Sequence, residues 1–311
     1  MAMNKLLFIL LSIIVIIVSF TACTSDTSIA ELEAKLENVP HQGQSLVYAV
    51  DRNPILINPH RNSSADAIRI YKNVYSRLTR FDENANLLPD LAQSWRHYDL
   101  EGSFIYVFEL RQGVLFHDGR ELTADDILYS YEIILNRHRY LFRNVVRADA
   151  IDKYTVRFIL TEFDPAFLNM TAHANSSIVP QKTDDEDDTE ARRNINTTPP
   201  PPSGTGPFMI QEVKEGEYII LERNPNYYIP NEPKLEYLTL LTIPDGRVRV
   251  QALEDGMVDI ARLAYVELDD DEEIIVMIHP CDGSFYYLNN RVNIFFAEHN
   301  YHDIFTGVYL S

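Results

Sequence analysis

The sequence predicts a mixed α/β (α+β) protein that works outside the cytoplasm. Three observations predict it. Short β-patterned runs alternate with segments of helical spacing between residues 45 and 260. The 311 residues are 46% hydrophobic, enough for one large domain or two medium ones with a real core. The chain also opens with a basic residue, an apolar run and then small residues, in the order of a secretory signal.

That leader carries Lys5 and an apolar run over residues 6–20. Phe20-Thr21-Ala22-Cys23 follows and resembles a bacterial lipobox. Residues 1–22 are therefore expected to be a signal peptide and Cys23 the lipidated residue. Residues 23–43 are expected to form a polar tether with a short helical patch at 30–37. The body would then stand lipid-anchored in the periplasm or on the outer face of the cell membrane. No later stretch of the sequence is long and apolar enough to cross a membrane.

Residues 45–50 (Ser-Leu-Val-Tyr-Ala-Val) have the composition of a strand, and the Asn58-Pro59-His60 loop follows. Ile68, Tyr71, Tyr75 and Leu78 recur at helical spacing, so a helix is predicted over 65–78 with Ser64 as N-cap. Phe104, Tyr106, Phe108 and Leu110 alternate, which predicts a strand with one strongly buried face. A further strand is expected to end at the Asp118-Gly119 turn. Thr123-Ala124-Asp125-Asp126 has the form of a capping box, opening a helix with Ile127, Leu128, Tyr131, Ile134 and Leu135 on one face. Residues 154–160 and 218–222 are predicted strands. Residues 245–256 are a predicted helix, started by Asp245 and stopped by Gly256. Between them, residues 183–202 hold an acidic run and four prolines and are expected to be a solvated loop.

The net charge of −19 would repel a phosphate backbone, which argues against nucleic acid as a partner. Cys23 ends the leader, so no disulfide with Cys281 is expected. There is no Gly-x-Ser-x-Gly elbow, no His-Glu-x-x-His and no phosphate loop. His60, His117, His173 and His279 lack ligand spacing and are assigned to turns and packing. Asp125 and Asp126 are explained by the helix N-terminus. No enzyme, no metal and no cofactor are expected.

Several segments resemble the family 5 extracellular solute-binding proteins, the peptide- and nickel-binding components of ABC importers. They are Leu56-Ile57-Asn58-Pro59-His60, Pro89-Asp90-Leu91-Ala92-Gln93-Ser94-Trp95, the run from Phe108 through His117-Asp118-Gly119 to Ile127, Gly204-Thr205-Gly206-Pro207-Phe208, residues 221–228, and Ala252-Leu253-x-x-Gly256-x-x-Asp259-Ile260. The resemblance implies a type II periplasmic-binding-protein-like fold, in which two lobes close over a ligand about a hinge. It implies lobe I at 44–80 and 204–270, an inserted domain at 81–203, and the start of lobe II at 271–311. By the same resemblance, Trp95 and Phe208 anchor cores.

Ligand contact is implied at Ser63, Ser64 and Ala65, after the Pro-His turn. It is also implied at Arg262, Leu263 and Ala264, where peptide-binding members often carry Tyr-Asn. Arg262 would there meet an anionic group, or else be an ordinary surface arginine. The implied ligand is a peptide or other small solute, the implied partner an ABC transporter permease, and the implied state a monomer. The family's pattern fades after Asn290, so lobe II is expected to be largely missing, the product truncated and its binding weakened. The alternative from the same fold is a lipid-anchored sensor or interaction module that delivers nothing.

Overall fold

The computed structural model describes residues 29–41, 43–54, 57–82, 84–181 and 203–262, with two further strands at Ile275–Ile278 and Phe285–Leu288. The leader, Cys23, Leu263, Ala264 and the acidic and proline-rich run all lie outside the described residues.

The chain enters through helix α1 (Ile29–Leu36) and strand β1 (Ser45–Val50), then helix α2 (Ala65–Val74). A small ribbon follows, β2 (Thr79–Phe81) with β3 (Leu87–Pro89). Then come β4 (Ala92–Leu100), β5 (Ser103–Leu110), helix α3 (Ala124–Arg137), β6 (Val145–Asp152), β7 (Thr155–Leu160) and the one-turn helix α4 (Phe167–Met170). The last part holds β8 (Phe208–Lys214), β9 (Tyr218–Arg223), β10 (Tyr237–Thr242), helix α5 (Gly246–Glu254), β11 (Ile260–Arg262), β12 (Ile275–Ile278) and β13 (Phe285–Leu288).

Two sheets organise these elements. The larger has the order β12-β13-β11-β1-β10-β9-β8, with β1 parallel to both β10 and β11. Helices cover both of its faces. Leu46, Tyr48 and Val50 point into one core with Ala67, Ile70, Tyr71 and Val74 of α2. Val47 and Ala49 point into another with Leu32 and Leu36 of α1 and Ala252 and Leu253 of α5. That is why β1 is an unbroken apolar run without alternation. The smaller sheet has the order β4-β5-β7-β6, all antiparallel. One face packs on α3, where Tyr131 meets Phe158 edge-on at 4.7 Å between centroids.

The predicted strands at 45–50, 104–110, 154–160 and 218–222 form with bounds shifted by a residue or so, and the three capped helices form. The helix predicted over 65–78 stops at Val74. Tyr75 turns extended (φ −118°, ψ 146°), and this sends Leu78 into the core of the smaller sheet. No strand leads into Asp118-Gly119. The Leu115–Glu121 bridge closes the turn instead, with Gly119 at φ 87°. Residues 29–39 are not tether: Leu32, Leu36 and Val39 are buried against the larger sheet. β5 buries both faces, because Ile105 and Val107 are covered as well. The register sets Val107 between Arg96 and Arg157, whose aliphatic stems suit that role. Phe208 is fully buried, while Trp95 only borders its core.

Candidate functional site

Ligand sites of open α/β sheets lie outside the carboxyl ends of the parallel strands, because loops and helix N-termini converge there. Here those ends belong to β1, β10 and β11. Ser63, Ser64 and Ala65, and Arg262 of the second predicted segment, lie at this edge.

The first is the turn after β1. Asn58 Oδ1 accepts from the His60 amide at 3.0 Å, the Asx geometry that makes Asn-Pro-His a turn. Ser64 then caps α2, its Oγ accepting from Ala67 N at 3.3 Å. Ser63, Ser64 and Ala65 are exposed. Their support comes from Asn175, more than a hundred residues further along the chain. The Asn175 amide uses both of its N–H groups on this turn, one to Pro59 O at 3.1 Å and one to Ser63 Oγ at 2.8 Å. His60 is buried and its Nε2 donates to Ser177 O at 2.9 Å. His138 Nε2 lies 3.3 Å from His60 O and completes the knot.

Of the second segment the structure describes Arg262, the last residue of β11. Arg262 Nη1 reaches Asp66 Oδ1 at 3.2 Å and Asp51 Oδ1 at 3.7 Å. Asp66 lies in the first turn of α2, next to Ala65, so residues almost two hundred positions apart share one spot. Asp66 also accepts from Arg69 Nη1 and Arg52 Nε, each at 2.9 Å. Arg249 of α5 donates to Arg262 O at 2.8 Å and to Ile243 O and Pro244 O at the end of β10. Burial pulls the Arg249 guanidinium below the ordinary arginine range.

Asp51, Arg52, Asp66, Arg249 and Asn175 were not singled out from sequence. A signal existed for the first two, since Asp51-Arg52 directly follows the end of β1. None existed for Asn175, whose partners lie 112 and 116 residues away.

The remaining motifs carry structure. Gly204 and Gly206 pass so close to the end of α2 that a Cβ would sit 2.0 Å and 2.5 Å from backbone oxygens. Asp126 does more than favour a helix N-terminus. Its two carboxylate oxygens accept from Thr123 N and from Gln181 N, each at 2.8 Å. Among the described residues no three His, Cys, Asp or Glu side chains gather as a metal site. A shallow cavity of ≈ 310 Å³ lies elsewhere, between α1 and the turn before β11, lined by Glu33, Glu37 and His41 among others.

An edge with two capped helices behind it, on a sheet of this order, is the frame of a type II periplasmic binding protein. Solved structures agree. DppA of Helicobacter pylori, a periplasmic binding protein in complex with the peptide STSA, is 25% identical with a TM-score of 0.64, over 75% of this chain and 50% of that one. NikZ of Campylobacter jejuni, in complex with Ni(L-His), is 29% identical with a TM-score of 0.61, over 77% and 47%.

Residues 86–303 match the bacterial extracellular solute-binding proteins, family 5, and the chain belongs to that family. Members are extracytoplasmic binding proteins and not enzymes. The oligopeptide-binding protein AppA of Bacillus subtilis is 30% identical over 262 residues, covering 82% of this chain and 48% of AppA. The chain spans about half the length of the curated relatives it matches.

Proposed function

We propose that this chain is the first-lobe part of a receptor that binds a peptide or similar small solute and hands it to an ABC permease. The observation that carries this reading is the meeting of two segments at the carboxyl edge of the sheet. Asp66, the residue after Ser63-Ser64-Ala65, pairs with Arg262, which Leu263 and Ala264 follow in the sequence. Family relatives that bind oligopeptides and dipeptides support the ligand class. In this reading residues 44–80 and 204–270 form lobe I, residues 81–203 its inserted domain, and residues from 271 begin lobe II. Closure over the ligand would then be a hinge motion, biased by contacts made only in the closed state. No catalytic step is required.

Anchoring belongs to the same proposal. Cys23, lipidated after signal cleavage, would hold a monomer at the outer face of the membrane. Intact mass of the membrane-extracted protein tests this. Wild type should carry diacylglycerol on an N-terminal Cys23, and Cys23→Ser should be released unlipidated. Calorimetric titration of the full chain in detergent with tri-alanine tests the binding reading. Saturable uptake lost on loop substitutions at 63–65 supports it. Binding of an unrelated sugar in place of the peptide would count against it.

A further inference from the structure

The described edge concentrates positive charge in a strongly negative molecule. Arg52, Arg69, Arg249 and Arg262 face it, against the carboxylates of Asp51 and Asp66. Four cations against two anions leave an excess of two positive charges, while the whole chain carries −19. Asp245 and Arg247, at the start of α5, pair with each other and leave that balance unchanged.

The placement of the four differs. Arg69 and Arg249 are each only 5% exposed, so their charges are taken out of water. Among the described residues Arg249 hydrogen-bonds carbonyl oxygens alone, which orient it, while Asp51 and Asp245 act on its charge from farther off. A buried cation without a hydrogen-bonded carboxylate favours further negative charge nearby. Arg52 and Arg262 have side chains 76% and 32% exposed, and both lean on the same Asp66. One carboxylate with two oxygens is thus shared by three guanidinium groups. Asp51 is the weaker competitor: it lies 3.7 Å from Arg262 and 3.9 Å from Arg52, and its Oδ1 makes no hydrogen bond among the described residues.

We infer that this edge is built to receive a carboxylate or comparable anionic group of the ligand, held by the free faces of Arg52 and Arg262. Arg249 acts as a positioning residue. It grips Arg262 O and so sets where the Arg262 side chain starts from. A planar carboxylate matches the two-pronged guanidinium better than any neutral amide does. The inference rests on the solute-binding reading for the location of the ligand, and it adds the ligand's charge.

The test uses the full chain with arginine-selective NMR, which reads weak binding. The probes are succinate and its neutral counterpart succinamide at constant ionic strength, and then tri-alanine and tri-alanine amide. Succinate is expected to shift the Arg52 and Arg262 Nε–H signals and to bind at least about tenfold tighter than succinamide. Arg262→Gln should weaken succinate about tenfold, Arg262→Lys should restore part of it, and Asp51→Asn should tighten it. The opposite signs of the Arg262→Gln and Asp51→Asn effects would not arise from general loosening of the fold. Equal response to succinate and succinamide, no response to succinate, or indifference to Arg262→Gln each overturns the inference. The two readings fail separately. If tri-alanine and its amide bind alike, the peptide reading stands and the anion site falls. If succinate binds through Arg262 and neither peptide binds, the anion site stands and the peptide reading falls.

Discussion

His117 has both ring nitrogens engaged as a neutral imidazole. Nε2 donates to Gly206 O at 3.1 Å, and Nδ1 accepts from Gly204 N at 3.2 Å. A proton on Nδ1 would abolish the second bond. Burial lowers its pKa to about 4, and burial does the same to His60. In the unfolded chain both titrate near 6.5, so between about 6.5 and 4 the unfolded state binds more protons. Stability should therefore fall as pH drops through that window, by up to roughly 3 kcal/mol for each ring. Urea unfolding at pH 7, 5.5 and 4.5 measures this, and His117→Asn should flatten the slope. Asn175 offers a second test at this scale. Its two donors hold Pro59 and Ser63, so Asn175→Ala should cost about 1–3 kcal/mol. Hydrogen exchange should then rise at 59–64 before it rises in β1. The Ser64 cap was legible in the sequence because capping is local. The Asn175 contact was not, because nothing near residue 63 encodes a partner 112 residues away.

At the scale of elements, α1 shows how a short polar-looking segment becomes part of the core. Its eight residues carry Leu32 and Leu36 one turn apart, and both land on the β1 face opposite α2. Leu32→Ala should lower stability by about 2–5 kcal/mol, as for any core leucine, and thermal melting checks it. A mere tether would show no change. β4, β6 and β8 escaped prediction for a related reason. Each pairs on one side or faces solvent over most of its length, so their burial patterns never settle into strict alternation. β5 and β1 were legible because their apolar runs are long and lie mid-sheet. The overrun of α2 was also local in origin. Tyr75 and Leu78 keep the helical spacing although the backbone has already turned extended at Tyr75.

For the whole molecule, charge sets the balance. A net −19 makes the folded chain repel itself, and salt screens that repulsion. Raising ionic strength from about 10 mM to about 150 mM shortens the Debye length from roughly 30 to 8 Å. The exposed ion pairs, such as Arg96–Glu109, lose strength too, but each contributes at most about 1 kcal/mol. The melting temperature should rise by a few degrees. A fall would show that the ion-pair lattice outweighs the repulsion.

The sequence by itself determined the fold class, the capped helices, the strands β1, β5, β7 and β9, and the family, since each rests on local periodicity or on contiguous motifs. It also marked the turn at 63–65 and Arg262 as separate candidates. Only the tertiary structure decided that they meet. β1 lies between β10 and β11, so the loop after one parallel strand and the end of another open on the same edge. Charge at that edge was decided there too. The sequence sums to a negative total, whereas the sheet brings Arg52 and Arg69 together with Arg249 and Arg262, from two stretches almost two hundred residues apart, around two aspartates, and such gathering depends on distances in space that no linear pattern records.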